Sequence, residues 1–239
     1  MNDRIKLDAL FIGAHPDDIE ITSAGTLLKM IKANKKAGII DLTLGELSTR
    51  GDLKTRKKET DAASKILGIK VRENLGLPDG DIQNNQRNRI KLIRLIRKYK
   101  PGIVFAPFPN DRHPDHINVS NLVRESVYYS GLNKIETEEL EPFRPSKIFY
   151  FRHAYDLPIS FIIDISDVFK IKMRSIKAYK SQFYNPKAKQ PDTYISSKMF
   201  LKDVESRARF YGFKIGAEFG EPFYSEEPIC IKPENLTEL

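Results

Sequence analysis

A doubly wound α/β fold, with a mainly parallel sheet and helices on both faces, is what this chain predicts. Short, near-continuous apolar runs recur along its first half, at residues 7–12, 39–44 and 103–106. Between them lie stretches whose apolar residues repeat at the 3.6-residue period of a helix. Helices placed between strands that are apolar along their whole length imply parallel pairing through right-handed crossovers, the Rossmann-like layout.

The elements follow in order. Residues 7–12 read as a buried strand, and the helix behind them carries Ala24, Leu27, Leu28 and Ile31 at i, i+3, i+4 and i+7. After the strand at 39–44, a turn containing Gly45 and Gly51 leads into a charged helix over about 56–67. A third strand lies near 71–75, and Pro78-Asp79-Gly80-Asp81 is a strong turn. The next helix sets Leu92, Leu95, Ile96 and Tyr99 on one face and ends before Pro101, because proline disfavours a helical residue ahead of it. The strand at 103–106 is followed by a helix starting at Pro114, with Val119, Leu122, Val123, Ser126 and Val127 on its inner face. Beyond Gly131 the pattern loosens into strand-like segments at 147–151 and 161–165 and a helix over about 168–181. A loop rich in Pro, Lys and Gln and an amphipathic helix over about 197–211 complete the series. No linker or break in composition divides the chain, so residues 1–239 are expected to form one domain.

Composition narrows the class. With 239 residues and 40% hydrophobic content the chain can bury one large core. It contains no apolar run long enough to span a bilayer and no signal-peptide pattern, so no membrane partner is expected. A single cysteine, Cys230, rules out an internal disulfide framework and suits a reducing cytoplasm; it reads as a small apolar filler in a late strand. The net charge of +8 raises nucleic acid as a partner. The basic residues are scattered over helix faces, however, as with Lys91, Arg94, Arg97 and Lys98, and no zinc-finger or RNP spacing accompanies them. No nucleic-acid partner is therefore expected; the surplus can instead steer a small anionic substrate. A dinucleotide-binding oxidoreductase is disfavoured because the first strand runs into Gly-Ala-His-Pro-Asp-Asp rather than G-x-G-x-x-G, and acidic residues there would repel a pyrophosphate.

Chemistry concentrates in two clusters, His15-Pro16-Asp17-Asp18 and His113-Pro114-Asp115-His116, which hold three of the four histidines. Imidazoles and carboxylates are the donors that borderline divalent metals prefer, and a catalytic zinc site takes three of them with one position left open. Each cluster follows an apolar strand, and in doubly wound sheets ligands bind beyond the carboxyl ends of strands. One composite metal site is therefore expected. Adjacent carboxylates point in different directions, so a natural division has Asp18 binding the metal and Asp17 facing water as general base. His113 and His116, three apart, lie on one side of their helix. One can ligate while the other stands over the reacting centre, oriented by Asp115. His153, ending a strand beyond the motifs, reads as structural or as pocket lining.

Taken together, Gly13-Ala14-His15-Pro16-Asp17-Asp18-Ile19-Glu20, Gly25-Thr26 and His113-Pro114-Asp115-His116 resemble the LmbE-like (PIG-L) family of zinc-dependent N-deacetylases acting on N-acetylglucosaminyl conjugates. The likeness is closer to its bacillithiol-biosynthesis branch, the N-acetylglucosaminyl-malate deacetylases, with another N-acetylglucosamine conjugate or a chitooligosaccharide as the alternative substrate. It extends through residues 41–47, 72–79 and 179–184 to Ile215-Gly216 and Gly220-Glu221. The resemblance implies Zn2+, one per chain, on His15, Asp18 and His116, with Asp17 as general base. It implies His113, supported by Asp115, as the electrophilic or acid partner. Arg56 matches a substrate-contacting arginine, Arg112 a partner for the malate carboxylates, and Tyr194 a contact to the acetamide oxygen. Relatives of this kind imply a homo-oligomer built on a trimer, as in a hexamer.

Overall fold

The computed structural model describes residues 5–137, 140–186 and 188–234. The first half alternates β1 (Ala9–Gly13), α1 (Asp18–Thr22), α2 (Ala24–Lys32), β2 (Ala37–Asp41), α3 (Leu53–Leu67), β3 (Val71–Asn74), α4 (Gln86–Tyr99) and β4 (Ile103–Pro107). The second half continues with α5 (Pro114–Ser130), β5 (Lys147–Phe151), β6 (Phe161–Asp164), α6 (Phe169–Ile176), α7 (Phe200–Phe213) and β7 (Gly220–Tyr224).

One seven-stranded sheet has the order β3-β2-β1-β4-β5-β7-β6. The five strands from β3 to β5 are all parallel, in register from Ala9 opposite both Ala37 and Ile103. β1, β2 and β4 are covered on both faces, as their largely apolar sequences require, while β3 at the edge is polar and partly exposed. Leu10, Ile12, Ile40 and Val104 pack under α4 and α5, while Phe11, Ile39 and Phe105 pack under α2, α6 and α7. From β1 the chain builds outward to β2 and β3, then returns to lay β4 on the other side of β1. This reversal opens a crevice between the carboxyl ends of β1 and β4, where such sheets bind ligands.

The far edge departs from the parallel pattern. β7 inserts antiparallel between β5 and β6, a strand the sequence pattern hides behind Glu221 and Pro222. The β5 ladder reaches only Phe223 and Tyr224, so Pro222 needs no N–H on that side. Glu221 is buried because it caps α2. It accepts the N–H groups of Gly25 (2.9 Å) and Thr26 (2.7 Å), whereas Ser23 at the N-cap position makes no side-chain cap. Lys172 Nζ of α6 completes the cluster at 2.5 Å from Glu221 Oε1. A Cβ on Gly25 would lie 2.7 Å from Ile165 and 2.8 Å from Glu221, so only glycine fits there.

Two expectations differ from the structure. The helix expected to reach residue 181 stops at Ile176, and the chain then turns so that Ser181 donates its N–H to Glu59 (2.7 Å) and Gln182 donates to the Arg50 carbonyl (2.6 Å). Tertiary hydrogen bonds override local helical preference at that point. Cys230 is exposed and lies beyond β7, outside any strand, so the expectation of a buried filler is corrected.

Candidate functional site

The loop leaving β1 is tied down by Asp18, the first residue of α1. Its Oδ2 accepts the N–H groups of Ala14 (2.8 Å) and His15 (2.9 Å), which fold the turn back onto the helix start. Asp17 completes this tight turn with a backbone φ of 114°, a conformation costly for any residue bearing a Cβ and frequent at functional sites.

At the crevice the two clusters meet. Donor atoms of His15, Asp18 and His116 all lie within 4.8 Å of one another. His15 Nδ1 is 3.6 Å from Asp18 Oδ2, and His116 Nε2 is 3.5 Å from Asp18 Oδ1. The remote nitrogen of each ring is held by a carboxylate: His15 Nε2 lies 3.0 Å from Asp79 Oδ1, and His116 Nδ1 lies 3.0 Å from Asp111 Oδ1. Carboxylates behind ligating imidazoles fix the tautomer that presents a lone pair to a metal. Asp111 is fully engaged in this way, since it also accepts the N–H groups of His113 and Ala154, both at 2.9 Å.

The charges at this point are unbalanced toward the acidic. Burial disfavours the Asp18 anion, yet the charge and hydrogen bond of His116 and the hydrogen bonds of His15 and His153 hold its pKa well below the usual carboxylate range. Burial works against the His116 cation too, and the charge of Asp18 with the hydrogen bond of Asp111 outweighs it, lifting its pKa to about 9. Asp17, Asp18, Asp79, Asp111 and Asp115 crowd these rings. Among the described residues, Arg56 is the guanidinium paired to the group, at 3.1 Å from Asp17 Oδ2. A buried nitrogen and oxygen donor set with carboxylates behind its histidines and an excess of negative charge fits a divalent cation.

Two carboxylate oxygens of this group, Asp17 Oδ2 and Asp115 Oδ1, are buried without a hydrogen bond among the described residues, and Asp17 is the one that lines the cavity. It is 4% exposed, and its Oδ2 has no hydrogen-bond partner among the described residues. Burial pushes its pKa up to about 7, against the pull of Arg56. Arg56 is itself buried; it donates to the Pro16 carbonyl (2.6 Å) and Ser48 Oγ (2.9 Å), so it braces the first cluster as well as lining the cavity.

The second cluster is arranged differently from expectation. The Asp115 carboxylate does not orient the His113 ring. Its Oδ2 accepts the Gly80 N–H (2.8 Å) and stands 3.4 Å from His15 Nε2, while its main-chain N–H donates to His113 Nδ1 (3.2 Å). His113 thereby serves as the N-cap of α5, and its Nε2 must carry the proton of the neutral ring. Burial and then the neighbouring His116 and His15 lower its pKa, which favours that neutral form.

These groups surround a cavity of about 350 Å³. At its wall the Arg112 guanidinium sits 4.5 Å above the ring of Tyr194, so two residues far apart in sequence are brought together. Asp79, Asp111 and Arg207 also line it, and sequence reasoning missed all three. Asp111 precedes His113 by two residues in the same loop, and Asp79 sits in the marked turn, so proximity to a motif was the available signal. Arg207, within α7, carried no such signal. His153, expected to be structural or to line the pocket, leaves the carboxyl end of β5 and reaches the cavity at the same sheet edge.

Sequence comparison matches residues 10–127 to PIG-L, the GlcNAc-PI de-N-acetylases. Diacetylchitobiose deacetylase of Thermococcus kodakarensis is 29% identical over 227 residues, covering 89% of this chain and 80% of that protein. Probable N-acetyl-alpha-D-glucosaminyl L-malate deacetylase 2 of Bacillus anthracis is 26% identical over 188 residues, covering 73% and 80%. Among solved structures, the conserved protein TT1542 of Thermus thermophilus superposes with a TM-score of 0.87 at 35% identity, covering 95% of this chain and 98% of that one. Fold and site define an enzyme of the metal-dependent N-deacetylase class. The chain belongs to the PIG-L (LmbE-like) family.

Proposed function

We propose that this enzyme removes the acetyl group of N-acetylglucosaminyl-malate, with zinc as its metal, giving glucosaminyl-malate and acetate in bacillithiol biosynthesis. The carrying observation is that one cavity contains both a three-donor set and the buried Asp17, whose Oδ2 is paired with Arg56 but accepts no hydrogen bond from the described residues. His15, Asp18 and His116 would hold the metal, which when bound supplies a Lewis acid that polarises the acetamide carbonyl and acidifies water. Asp17 accepts the proton of the attacking water through Oδ2, kept in place by Arg56. His113 donates Nε2–H to the carbonyl oxygen as negative charge develops there, a contribution of roughly 3 kcal/mol for one such donor. Asp17 then returns its proton to the leaving nitrogen, freeing the amine and acetate.

The malate assignment is supported by the Bacillus anthracis relative and by Arg112. Arg56 and Arg207, the other arginines of the cavity, pair with Asp17 and Asp203. Arg112 has an aromatic ring beneath it and no carboxylate partner among the described residues, which suits a dicarboxylate aglycone, with Tyr194 beside it to meet the acetamide. A second reading, hydrolysis of diacetylchitobiose, is favoured by the longer and more identical match to the Thermococcus protein. Acetate release by zinc-loaded enzyme from N-acetylglucosaminyl-malate, diacetylchitobiose and N-acetylglucosamine separates the two. A clear preference for the malate conjugate supports the first reading; preference for the disaccharide, or equal rates on all three, overturns it. We further assign residues 1–239 to one domain and the reaction to the cytoplasm. We also propose a trimer-based homo-oligomer, a reading supported by the exposed Phe210 and Phe213 at the end of α7.

A further inference from the structure

His153 is the histidine that the reaction above leaves unused, and it does not lie idle in the fold. Its Nε2 is 3.1 Å from Asp18 Oδ1, the carboxylate oxygen that faces His116. Its ring packs on that of His116, centroids 4.0 Å apart. Both side chains of the His153–Asp18 pair are removed from water, at 14% and 4% exposure.

The segment carrying His153 is fixed from three directions. Arg207 of α7 donates to the His153 carbonyl at 2.9 Å, and Arg152 donates to the same oxygen at 3.2 Å. The next residue, Ala154, donates its N–H to Asp111 Oδ2 at 2.9 Å, the same carboxylate that holds His116. The carboxyl end of β5 is thus anchored to α7 on one side and to the second cluster on the other. Such restraint on a loop residue is what a group with a geometric task requires.

Donor atoms of Asp111, His116 and His153 also fall within 4.8 Å of one another, which raises the alternative of a second metal position. Asp111 argues against it. Its two oxygens already accept two main-chain N–H groups and face the His116 ring, so a cation there would have to displace bonds that build the loop. Asp18 is different. Its Oδ2 receives two main-chain N–H groups, while Oδ1, among the described residues, faces His153 and, more distantly, His116.

We propose that His153 is a positioning residue of the metal centre: its Nε2–H donates to Asp18 Oδ1 and fixes the carboxylate plane, so that Asp18 meets a metal in one orientation. The proposal rests on the reading of His15, Asp18 and His116 as the ligand set. It adds a partner from outside residues 10–127, the segment matched to the family. Carboxylate ligands are themselves held by outer hydrogen bonds, and loss of such a partner costs about 10–100-fold in metal affinity.

The test is zinc affinity measured by competition with a chromogenic chelator, which needs no substrate and no turnover. His153→Phe keeps a flat ring against His116 and removes the donor, whereas His153→Gln keeps an N–H near the Nε2 position. We expect His153→Phe to weaken zinc binding by about 10–100-fold and His153→Gln to stay within about threefold of the native protein. The metal-free melting midpoints of the two variants should match. Native affinity in His153→Phe overturns the proposal, and so does a His153→Gln variant as weak as His153→Phe. A protein whose zinc affinity follows this pattern but that releases no acetate would refute the proposed reaction and leave the role of His153 standing.

Discussion

Adjacent acids at positions 17 and 18 have opposite environments, and the proposed division of labour between them rests on that difference. Asp18 is surrounded by hydrogen-bond donors, while Asp17 is twisted into a positive φ, its Oδ2 paired with Arg56 but accepting no hydrogen bond from the described residues. Asp17→Asn should therefore retain zinc at native stoichiometry and lose roughly 10²–10⁴-fold in turnover, read by acetate release. Turnover near the native rate would remove it as the base. His116→Ala removes one of three donors and should leave the purified protein without stoichiometric zinc by atomic absorption; full occupancy would refute its place in the ligand set. Both residues were legible in sequence, because short motifs keep their members together. The carboxylate of Asp115 was not, since which of two nearby rings it meets depends on Gly80 drawing Oδ2 toward the other loop.

At the level of elements, strands and helices of the first half follow from apolar runs and a 3.6-residue repeat, because a parallel strand buried on both faces has few other ways to satisfy its side chains. β7 was hidden since its polar residue is buried by partners from distant parts of the chain. Gly25 and Thr26 of α2 and Lys172 of α6 converge on Glu221, and none is near it in sequence. This cluster should be a principal lock between the two ends of the chain. Lys172→Met keeps the aliphatic length but leaves Glu221 buried without its cation. We expect a loss of about 3 kcal/mol, measured by urea unfolding with an unchanged slope. A loss below about 1 kcal/mol would mean that the N–H groups of α2 alone hold the carboxylate.

Across the whole molecule, the crevice binds the stability of the fold to its charge state. In chelator-treated protein His116 has its pKa raised to about 9, so the stability it contributes is fully present below its unfolded value of about 6.5 and is lost as pH rises through about 9. Asp18, held well below the usual range, contributes stability present above about 3.9 and lost at lower pH. The melting midpoint of metal-free protein should thus fall as pH rises from about 6.5 toward 9. A midpoint that rises over that interval would refute the Asp18–His116 pairing.

The sequence by itself determined the α/β class, the sheet edge that carries the chemistry and the residues of both clusters, because hydrophobic period and short motifs are local properties. Only the tertiary structure decided which distant partners those residues meet. Asp79 reaches His15 across 64 positions of sequence, and His153 reaches Asp18 across 135. Arg112 meets Tyr194 only across the folded cavity wall. Contacts of that kind depend on distances of a few ångströms between segments whose spacing in sequence carries no record of them.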